Sequence, residues 1–417
     1  MLDINFIQHN SDQVKQACLD KQLDPKVVDE LLKINEQRKK LKQEVDQVRR
    51  QVNDNAEAIK KQVHQGEKPD PGLVEAGRKL KDQLKQVEPK FKSVMIQFEE
   101  AMLQVPNIPA PDVPKGKDEQ GNQVVRQVGD PPKFKFKPLP HQKIMEQLGW
   151  LDTQRAVKIA GFRSYFLKNE AVLLEQAILR LALDYMVEQG FTPMTVPVMV
   201  NPEVMTGTGY FPWGQEDHYR TQDDKFLTGT AEVALTAYHM NETFTEDELP
   251  IKLTGISPCF RREVGAHGKD TQGVLRVHQF NKVEQVVFTQ ADEEETRQWH
   301  EKMLGFSEEL LQQLGLPYQV LLMCTGDMGA GQRKKYDIET WFPAQECFRE
   351  THSASYFNDF QTRRLKIKYQ AKDGTSKYAY SLNNTVLATP RLLASLVENY
   401  QQQDGSVKIP QVLKKYL

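Results

Sequence analysis

The chain has 417 residues and a formal net charge of −2, with 27% charged and 9% aromatic residues. This length allows two or three domains and a large buried core. No apolar run approaches the roughly 20 residues that a membrane-spanning helix needs, which argues against a helical membrane protein. The start, MLDINFIQHN, carries Asp3 and no basic cluster, a pattern that does not indicate a secretory signal.

The cysteines indicate a reducing environment. They are scattered along the chain, with no CxxC pair and no nearby histidine at zinc-ligand spacing: Cys18, Cys259, Cys324 and Cys347. This pattern predicts reduced thiols and therefore a cytoplasmic location. The near-zero net charge argues neither for nor against a nucleic-acid partner.

Apolar residues at heptad spacing run through the first quarter of the chain. One stretch comprises Ile34, Leu41, Val45, Val48, Val52 and Ile59, with Arg38 and Asn55 as polar exceptions. The other comprises Leu80, Leu84, Val87, Phe91, Val94, Phe98, Ala101 and Val105. The helix-breaking sequence GEKPDPG at 66–72 separates them, which predicts an antiparallel coiled-coil hairpin. Helices of about 39 residues would extend roughly 58 Å, and Pro89 should kink or interrupt the second one.

The predicted hairpin carries a local excess of positive charge. Residues 38–50 and 78–92 each hold six basic and two acidic side chains. Such a surface suits the phosphate backbone of a structured RNA. A solvated coiled coil or a dimerisation rod is the alternative interpretation.

Composition predicts three segments: a helical domain at 1–105, a Pro- and Gly-rich linker at 106–139, and a second domain at 140–417. The second domain combines a helical pattern with strand-like runs that follow one another. These runs lie at 283–288, 318–324, 335–342 and 365–370. Consecutive strands favour an antiparallel sheet, so we predict an α+β fold.

The segment at 259–284, CFRREVGAHGKDTQGVLRVHQFNKVE, has the pattern of two strands joined by a polar loop. Because strand side chains alternate between faces, Arg261 and Glu263 should share one face. On the second strand the shared face comprises Arg276, His278, Phe280, Lys282 and Glu284. Such a face suits a site that binds an anion, a flat ring and an ammonium. A solvated face with cross-strand ion pairs is the alternative.

Two other groups offer oxygen ligands. Thr230 and Glu232 would share a face if extended and could accept hydrogen bonds from an ammonium, although a helix-capping turn explains them equally well. Glu350 and Ser353, with Glu339 nearby, could hold Mg²⁺, although surface ion pairs are the commoner explanation.

A third group lies near the end of the chain. Asn383 and Thr385 should share a strand face, and Thr389 with Pro390 should begin a helix. Arg391 would then project from the first helical turn, where it can meet a phosphate. Because the sequence has no GxGxxG motif and no P-loop, a bound nucleotide should lie on the sheet.

These segments together resemble class II aminoacyl-tRNA synthetases. GFTPMTVPVMV is similar to their motif 1, FRRE with RVHQF to motif 2, and ATPRLLASLVENYQ to motif 3. Within that class TGTAE, HQFNKVE, TGDMGAGQRKKYDIETWFPAQ, DFQTRR and ENYQQQDGSVKIP follow the order of the seryl-tRNA synthetase family. The coiled-coil hairpin is a hallmark of that family, so the resemblance covers essentially the whole chain.

The resemblance implies a homodimer, with Pro197 at its interface, that attaches L-serine to tRNA(Ser) with ATP through a seryl-adenylate. Whether tRNA(Sec) is also charged stays open. It also implies the following catalytic residues: Arg261, Arg391 and Glu350. The implied serine ligands are Thr230, Glu232, Arg261, Glu284, Asn383 and Thr385. The implied ATP ligands are Arg261, Glu263, Val277, Phe280, Glu350, Ser353 and Arg391.

Particular roles follow from the same resemblance. Arg261 should contact the α-phosphate and the serine carboxylate, with Glu263 near the adenine and Phe280 stacked on it. Arg391 should bind the γ-phosphate, and Glu350 should hold Mg²⁺ with the Ser353 hydroxyl. On the serine side, Thr230 and Glu284 should receive the ammonium, and Asn383 and Thr385 should line the pocket for the hydroxyl.

Some positions depart from the commoner family pattern. His267, Lys269 and Gln272 lie in the motif 2 loop, and Thr351, His352 and Ala354 follow Glu350. We interpret both sets as lineage variation that preserves activity.

Two other functional classes are disfavoured. A synthetase-derived ligase that loads a carrier protein should lack the hairpin, which is present here. A non-catalytic interaction protein on the same fold should have lost Arg261, Glu284, Glu350 or Arg391, and all four are present.

Overall fold

A computed structural model describes residues 1–264 and 273–417. His267, Lys269 and Gln272 lie outside the described residues. The chain divides into two compact units. The first comprises Leu2–Leu19 and Leu23–Pro106, and the second comprises Met1, Asp20–Gln22 and Asn107–Leu417.

The helices are, in chain order, α1 Ile4–His9, α2 Ser11–Asp20, α3 Lys26–His64, α4 Pro71–Leu103, α5 His141–Gln147, α6 Thr153–Ala160, α7 Glu170–Glu188, α8 Pro202–Gly207, α9 Glu232–Ala237, α10 Glu293–Gln313, α11 Phe360–Leu365 and α12 Arg391–Asn399. Among the residues that the structure describes, no helix is long and apolar enough to cross a membrane.

Helices α3 and α4 form the predicted antiparallel coiled-coil hairpin. Arg49 pairs with Glu88 at 2.7 Å, whereas Asn55, further along α3, donates to the Leu73 carbonyl near the start of α4 at 2.9 Å. The later residue of α3 thus contacts the earlier residue of α4, which requires the two helices to be antiparallel. The heptad pattern therefore predicted this element correctly, and α4 continues through Pro89 without ending there.

The strands are β1 Gln123–Val128, β2 Leu151–Asp152, β3 Phe166–Leu167, β4 Thr192–Thr195, β5 Met199–Val200, β6 Phe226–Leu227, β7 Thr243–Thr245, β8 Ile251–Phe260, β9 Gln279–Thr289, β10 Tyr318–Leu322, β11 Lys334–Phe342, β12 Cys347–Asn358, β13 Lys368–Gln370, β14 Ser376–Tyr378 and β15 Tyr380–Ala388.

The main sheet has the order β1-β10-β11-β12-β15-β9-β8-β4. Every neighbouring pair in it is antiparallel except β4 and β8, which run parallel. The prediction of an α+β fold with an antiparallel sheet is therefore confirmed.

The register of the central strands determines which side chains meet. Glu284 on β9 lies directly opposite Thr385 on β15. Because side chains alternate, the neighbouring residues Gln285 and Asn384 point to the other face, where both amides donate to the Met303 carbonyl on α10. Helix α10 thus covers one face of these strands, and Glu284 and Thr385 lie on the opposite face.

Two local expectations differ from the structure. Strand β8 ends at Phe260, so Arg261 and Glu263 follow the strand instead of sharing its face. Glu263 has φ +55°, which ends any extended alternation there. The strand predicted from residue 365 starts only at Lys368, because Leu365 completes α11.

The segment assigned to a linker, 106–139, contains β1. This strand pairs with β10 at the edge of the main sheet. Its short QVVRQV sequence lies among Pro, Gly and charged residues, and that composition concealed it.

Candidate active site

An open cavity of about 850 Å³ lies on the sheet face opposite α10. Strands β9, β12 and β15, the start of α12 and the segment after β8 contribute its walls. It brings together all the proposed site residues: Thr230, Glu232, Arg261, Glu263, Val277, Phe280, Glu284, Glu350, Ser353, Asn383, Thr385 and Arg391. Glu339 lies instead in a neighbouring cavity, which shares Glu350 and Arg391 with this one.

Glu284 is the most enclosed carboxylate of this cavity, with 2% of its surface exposed. The ammonium of Lys282 pairs with it, and the hydroxyls of Thr230 and Thr385 donate to its Oε2 at 3.3 and 3.4 Å. A buried carboxylate needs such partners to remain charged. Lys282 and Glu284 are two residues apart on one strand, so strand alternation already placed them on the same face.

Glu232 lies beside Glu284 and is held by a buried hydrogen-bond network. The Tyr210 hydroxyl donates to it at 2.8 Å and the Gln361 amide at 2.9 Å. Ser381 in turn donates to the Gln361 carbonyl oxygen at 2.7 Å. Burial, reinforced by the charge of Glu284, raises the pKa of Glu232 to about 7.

Thr230 and Glu232 are not on an extended strand, contrary to the first of the two interpretations. The Glu232 N–H donates to Thr230 Oγ1 at 3.2 Å where α9 begins. This bond closes a short turn before the helix and is not a side-chain cap, because Ala231 occupies the N-cap position of α9 and no side chain caps it. The turn nevertheless directs both side chains into the cavity.

A second region of the cavity combines an aromatic ring with positive charge. The Arg261 guanidinium lies 5.1 Å from the centroid of the Phe280 ring, and its Nε donates to the Gly229 carbonyl at 3.3 Å. Arg276 donates to Glu263 at 2.8 Å across the base of the motif 2 loop. A planar base and an adjacent phosphate match these side chains chemically.

Arg391 begins α12 and faces Glu350, with 3.4 Å between Nη1 and Oε2. Desolvation opposes ionisation of Glu350, but the positive charges of Arg391, Lys335 and Arg261 outweigh it and hold its pKa below the ordinary value. Glu350 is therefore a carboxylate at neutral pH.

Thr389 does not cap α12, contrary to the prediction. Its hydroxyl donates instead to Glu175 Oε1 at 2.6 Å, and the cap position is occupied by Pro390. This contact joins the end of β15 to α7 and thereby fixes the chain just before Arg391.

Glu350 and Ser353 supply oxygen ligands of the kind that Mg²⁺ prefers. Within the described residues, no group of three or more His, Cys, Asp or Glu side chains forms a metal centre. Mg²⁺ is commonly held by one or two carboxylates together with substrate phosphates and water, so this sparse donor set fits it better than it fits zinc.

The residues after Glu350 depart from the family pattern without adding charge to the cavity. His352 is 1% exposed, and its Nδ1 lies 2.8 Å from Thr351 Oγ1. Burial lowers the pKa of His352 to about 3, so the imidazole is neutral. Ala354 is fully buried and faces Asn384 across the β12–β15 ladder.

Sequence reasoning missed several lining residues. Tyr210 and Gln332 come from loops whose approach to the sheet depends on tertiary packing. Leu275 belongs to the segment that returns from the motif 2 loop. Arg276 and His278 were predicted on the strand face, but β9 starts only at Gln279, so both precede the strand, and of the two Arg276 lines the cavity.

The two ends of the cavity have complementary chemistry. One end offers carboxylates and threonine hydroxyls that suit an ammonium and a small polar side chain. The other end offers arginines, the aromatic ring of Phe280 and the oxygen ligands of Glu350 and Ser353. These groups suit a nucleoside triphosphate with its metal ion. The arrangement can therefore hold an amino acid next to a nucleotide.

Comparison with known proteins agrees with this chemistry. The chain matches the family model of the class II tRNA synthetase core domain (G, H, P, S and T) over residues 216–400. It also matches the seryl-tRNA synthetase N-terminal domain over residues 1–109.

Full-length relatives give the same result. The serine–tRNA ligase of Deinococcus radiodurans is 43% identical, and the alignment covers 100% of this chain and 97% of the relative. The structure of seryl-tRNA synthetase from Pyrococcus horikoshii complexed with ATP matches with a TM-score of 0.92 and 39% identity, covering 100% of this chain and 98% of the other. The cytoplasmic serine–tRNA ligase of Naegleria fowleri in complex with AMP matches with a TM-score of 0.87 and 32% identity, covering 100% and 97%. The chain belongs to the seryl-tRNA synthetase family.

Proposed function

We propose that this cavity activates L-serine with ATP and that the chain then transfers the serine to tRNA(Ser), the reaction of a serine–tRNA ligase. The observation that carries the proposal is the buried Glu284 carboxylate between Thr230 and Thr385, next to Arg261 and Phe280. An ammonium acceptor and a phosphate-binding arginine on one sheet face suit the two substrates of this reaction.

Serine binds at the acidic end. Its ammonium meets Glu284 and the Thr230 hydroxyl, and Glu232 adds a second carboxylate. Its hydroxyl faces Asn383 and Thr385. A site built to hydrogen-bond a hydroxyl rejects an analogue that lacks it by roughly 10⁴ to 10⁵, because its own polar groups are left unpaired. Alanine is rejected for this reason, and the space around Thr385 excludes threonine.

ATP binds at the basic end. The adenine stacks on Phe280, with Val277 and Glu263 beside it. Arg261 contacts the α-phosphate together with the serine carboxylate, and Arg391 contacts the γ-phosphate. Arginine suits both positions because its guanidinium is always charged and presents a planar fork of donors.

Mg²⁺ would be held by Glu350 and Ser353. When bound, it would neutralise phosphate charge during activation. The lowered pKa of Glu350 agrees with this role, because a metal ligand has to be a carboxylate at neutral pH.

No enzyme nucleophile is needed. The serine carboxylate attacks the α-phosphorus in line, and pyrophosphate leaves. Two anions have to approach, so Arg261 and Arg391 lower the barrier by neutralising charge and by orienting the substrates. A ribose hydroxyl at the 3′ end of the tRNA then attacks the carbonyl carbon of the adenylate and loses its proton. The serine ester forms as the acyl–phosphate bond breaks and AMP leaves.

The coiled-coil hairpin, α3 with α4, supplies a basic surface for tRNA(Ser). We further propose a homodimer with the exposed Pro197 at its interface, a cytoplasmic location from the cysteine pattern, and three functional segments at 1–105, 106–139 and 140–417.

The first test is amino-acid-dependent ATP–pyrophosphate exchange with all twenty amino acids. Serine alone should support rapid exchange. Glu284→Gln should lower kcat/KM for serine by about 100-fold, because truncating one partner of a buried charge pair typically costs several kcal/mol. Glu309→Gln, which alters an exposed carboxylate on α10, is the control and should stay within twofold. Absence of exchange with serine would refute the proposed function.

The second test concerns pH. Because the pKa of Glu232 is about 7, the carboxyl of the empty site is mostly protonated at pH 6 and mostly ionised at pH 8. The serine ammonium binds better to the ionised carboxylate of Glu232. The affinity for serine, measured by isothermal titration calorimetry, should therefore rise about tenfold from pH 6 to pH 8. Glu232→Gln should bind serine more weakly and abolish this rise. An unchanged pH dependence in that variant would contradict the role of Glu232.

The third test addresses the hairpin. Replacing the exposed Arg50, Lys81, Lys85 and Lys92 by Ala should raise KM for tRNA at least about tenfold and flatten its salt dependence, because each phosphate contact adds about one to the slope. Serine-dependent exchange should stay within twofold. The control replaces the exposed Lys408 and Lys414 in the same way. Unchanged tRNA kinetics in the first variant would support a solvated or dimerising hairpin.

A further inference from the structure

His141 occupies a position outside the cavity that no motif of the resemblance explains. It is the first residue of α5 and is 3% exposed. Its Nδ1 lies 2.8 Å from Glu398 Oε1, and its backbone N–H donates to the same oxygen at 2.9 Å. Glu398 is fully buried near the end of α12 and also accepts the Ala344 N–H at 3.0 Å.

The second ring nitrogen contacts the chain as it returns from the motif 2 loop. The buried Val274 N–H donates to His141 Nε2 at 3.3 Å. Because Nε2 accepts this bond, the proton has to be on Nδ1, where the Glu398 carboxylate accepts it. The ring is therefore a neutral bridge between a carboxylate of α12 and a backbone N–H next to the cavity.

The packing at this contact leaves no room for a side chain at position 273. Gly273 has φ +68°, and a Cβ at that position would lie 2.1 Å from His141 Nε2. A glycine is thus required both by the backbone conformation and by the imidazole.

Helix α12, which carries Glu398, also contacts the segment that returns from the motif 2 loop at a second point. Arg391 Nε donates to the Leu275 carbonyl at 3.0 Å. Arg391 and Glu398 are seven residues apart, two turns along one face of α12. Val274 is therefore linked through His141 to the C-terminal end of α12, and Leu275 is bonded to Arg391 at its N-terminal end. The next residues, Arg276 and Val277, line the cavity.

We propose that His141 is a positioning residue for ATP. It fixes the segment 273–277, which forms the nucleotide side of the cavity, relative to the phosphate-binding Arg391 on α12. This inference rests on the proposed function, because it assigns ATP to that side. Loss of the bridge leaves Val274 N–H unpaired and lets the segment move away from the nucleotide, whereas the serine end around Glu284 is unaffected.

Two substitutions of His141 test the roles of its two ring nitrogens separately. His141→Asn keeps an amide N–H near the position of Nδ1 for Glu398 but has no acceptor for Val274. His141→Gln places its amide oxygen near the position of Nε2 and restores that acceptor. A second buried histidine, His300 on α10, provides the control for general destabilisation through His300→Asn.

In ATP–pyrophosphate exchange, His141→Asn should raise KM for ATP about tenfold, the effect expected when a buried N–H loses its acceptor, and leave KM for serine within twofold. His141→Gln should bring KM for ATP back to within about threefold of the original value, and His300→Asn should not change it. A folded His141→Asn variant with unaltered KM for ATP, or with both KM values raised equally, would overturn the proposal.

A measurement on the unaltered protein needs no variant to fold. Hydrogen–deuterium exchange of a peptide that ends the motif 2 loop and contains Val274 should show slow exchange at that amide. Exchange as fast as in an unstructured peptide would overturn the bridge. Absence of serine-dependent ATP–pyrophosphate exchange in the unaltered protein would instead refute the proposed function. The two failures are therefore distinguishable.

Discussion

The pairing of β9 with β15 is the constraint on which the site depends. It places Glu284 directly opposite Thr385 and leaves the amides of Gln285 and Asn384 to the covering helix α10. A shift of one residue in this register would turn the carboxylate towards the core and the amide towards the cavity. The ladder hydrogen bonds and the α10 contacts thus fix the identity of the cavity wall.

Charge is distributed along this wall in two regions. Glu284 remains compatible with burial because Lys282 and two hydroxyls satisfy it. Glu232, beside it, has a pKa raised to about 7, so in the proposed reaction the acidic end would gain its second negative charge when the serine ammonium binds. At the other end the positive charge of Arg391 offsets the negative charge of Glu350, and in the proposed reaction these residues would meet the phosphates and Mg²⁺. The acidic region thus suits the ammonium of an amino acid, and the basic region suits the phosphates of a nucleotide.

Much of this was predictable from residue patterns. Heptad spacing predicted the hairpin, and alternation placed Phe280, Lys282 and Glu284 on one face. Alternation failed at Arg261 and Glu263 because β8 ends at Phe260, yet both side chains still line the cavity. Contacts between distant segments could not be predicted. Tyr210 reaches Glu232, and His141 reaches Val274, only after loops and helices have packed on the sheet.

The central claim is that Glu284 receives the substrate ammonium beside a nucleotide stacked on Phe280. The most direct measurement is a crystal structure with a non-hydrolysable seryl-adenylate analogue. We expect its ammonium nitrogen to lie within about 3.2 Å of a Glu284 carboxylate oxygen, with the adenine parallel to the Phe280 ring. An analogue whose ammonium contacts neither Glu284 nor Thr230, or whose adenine lies away from Phe280, would contradict the account.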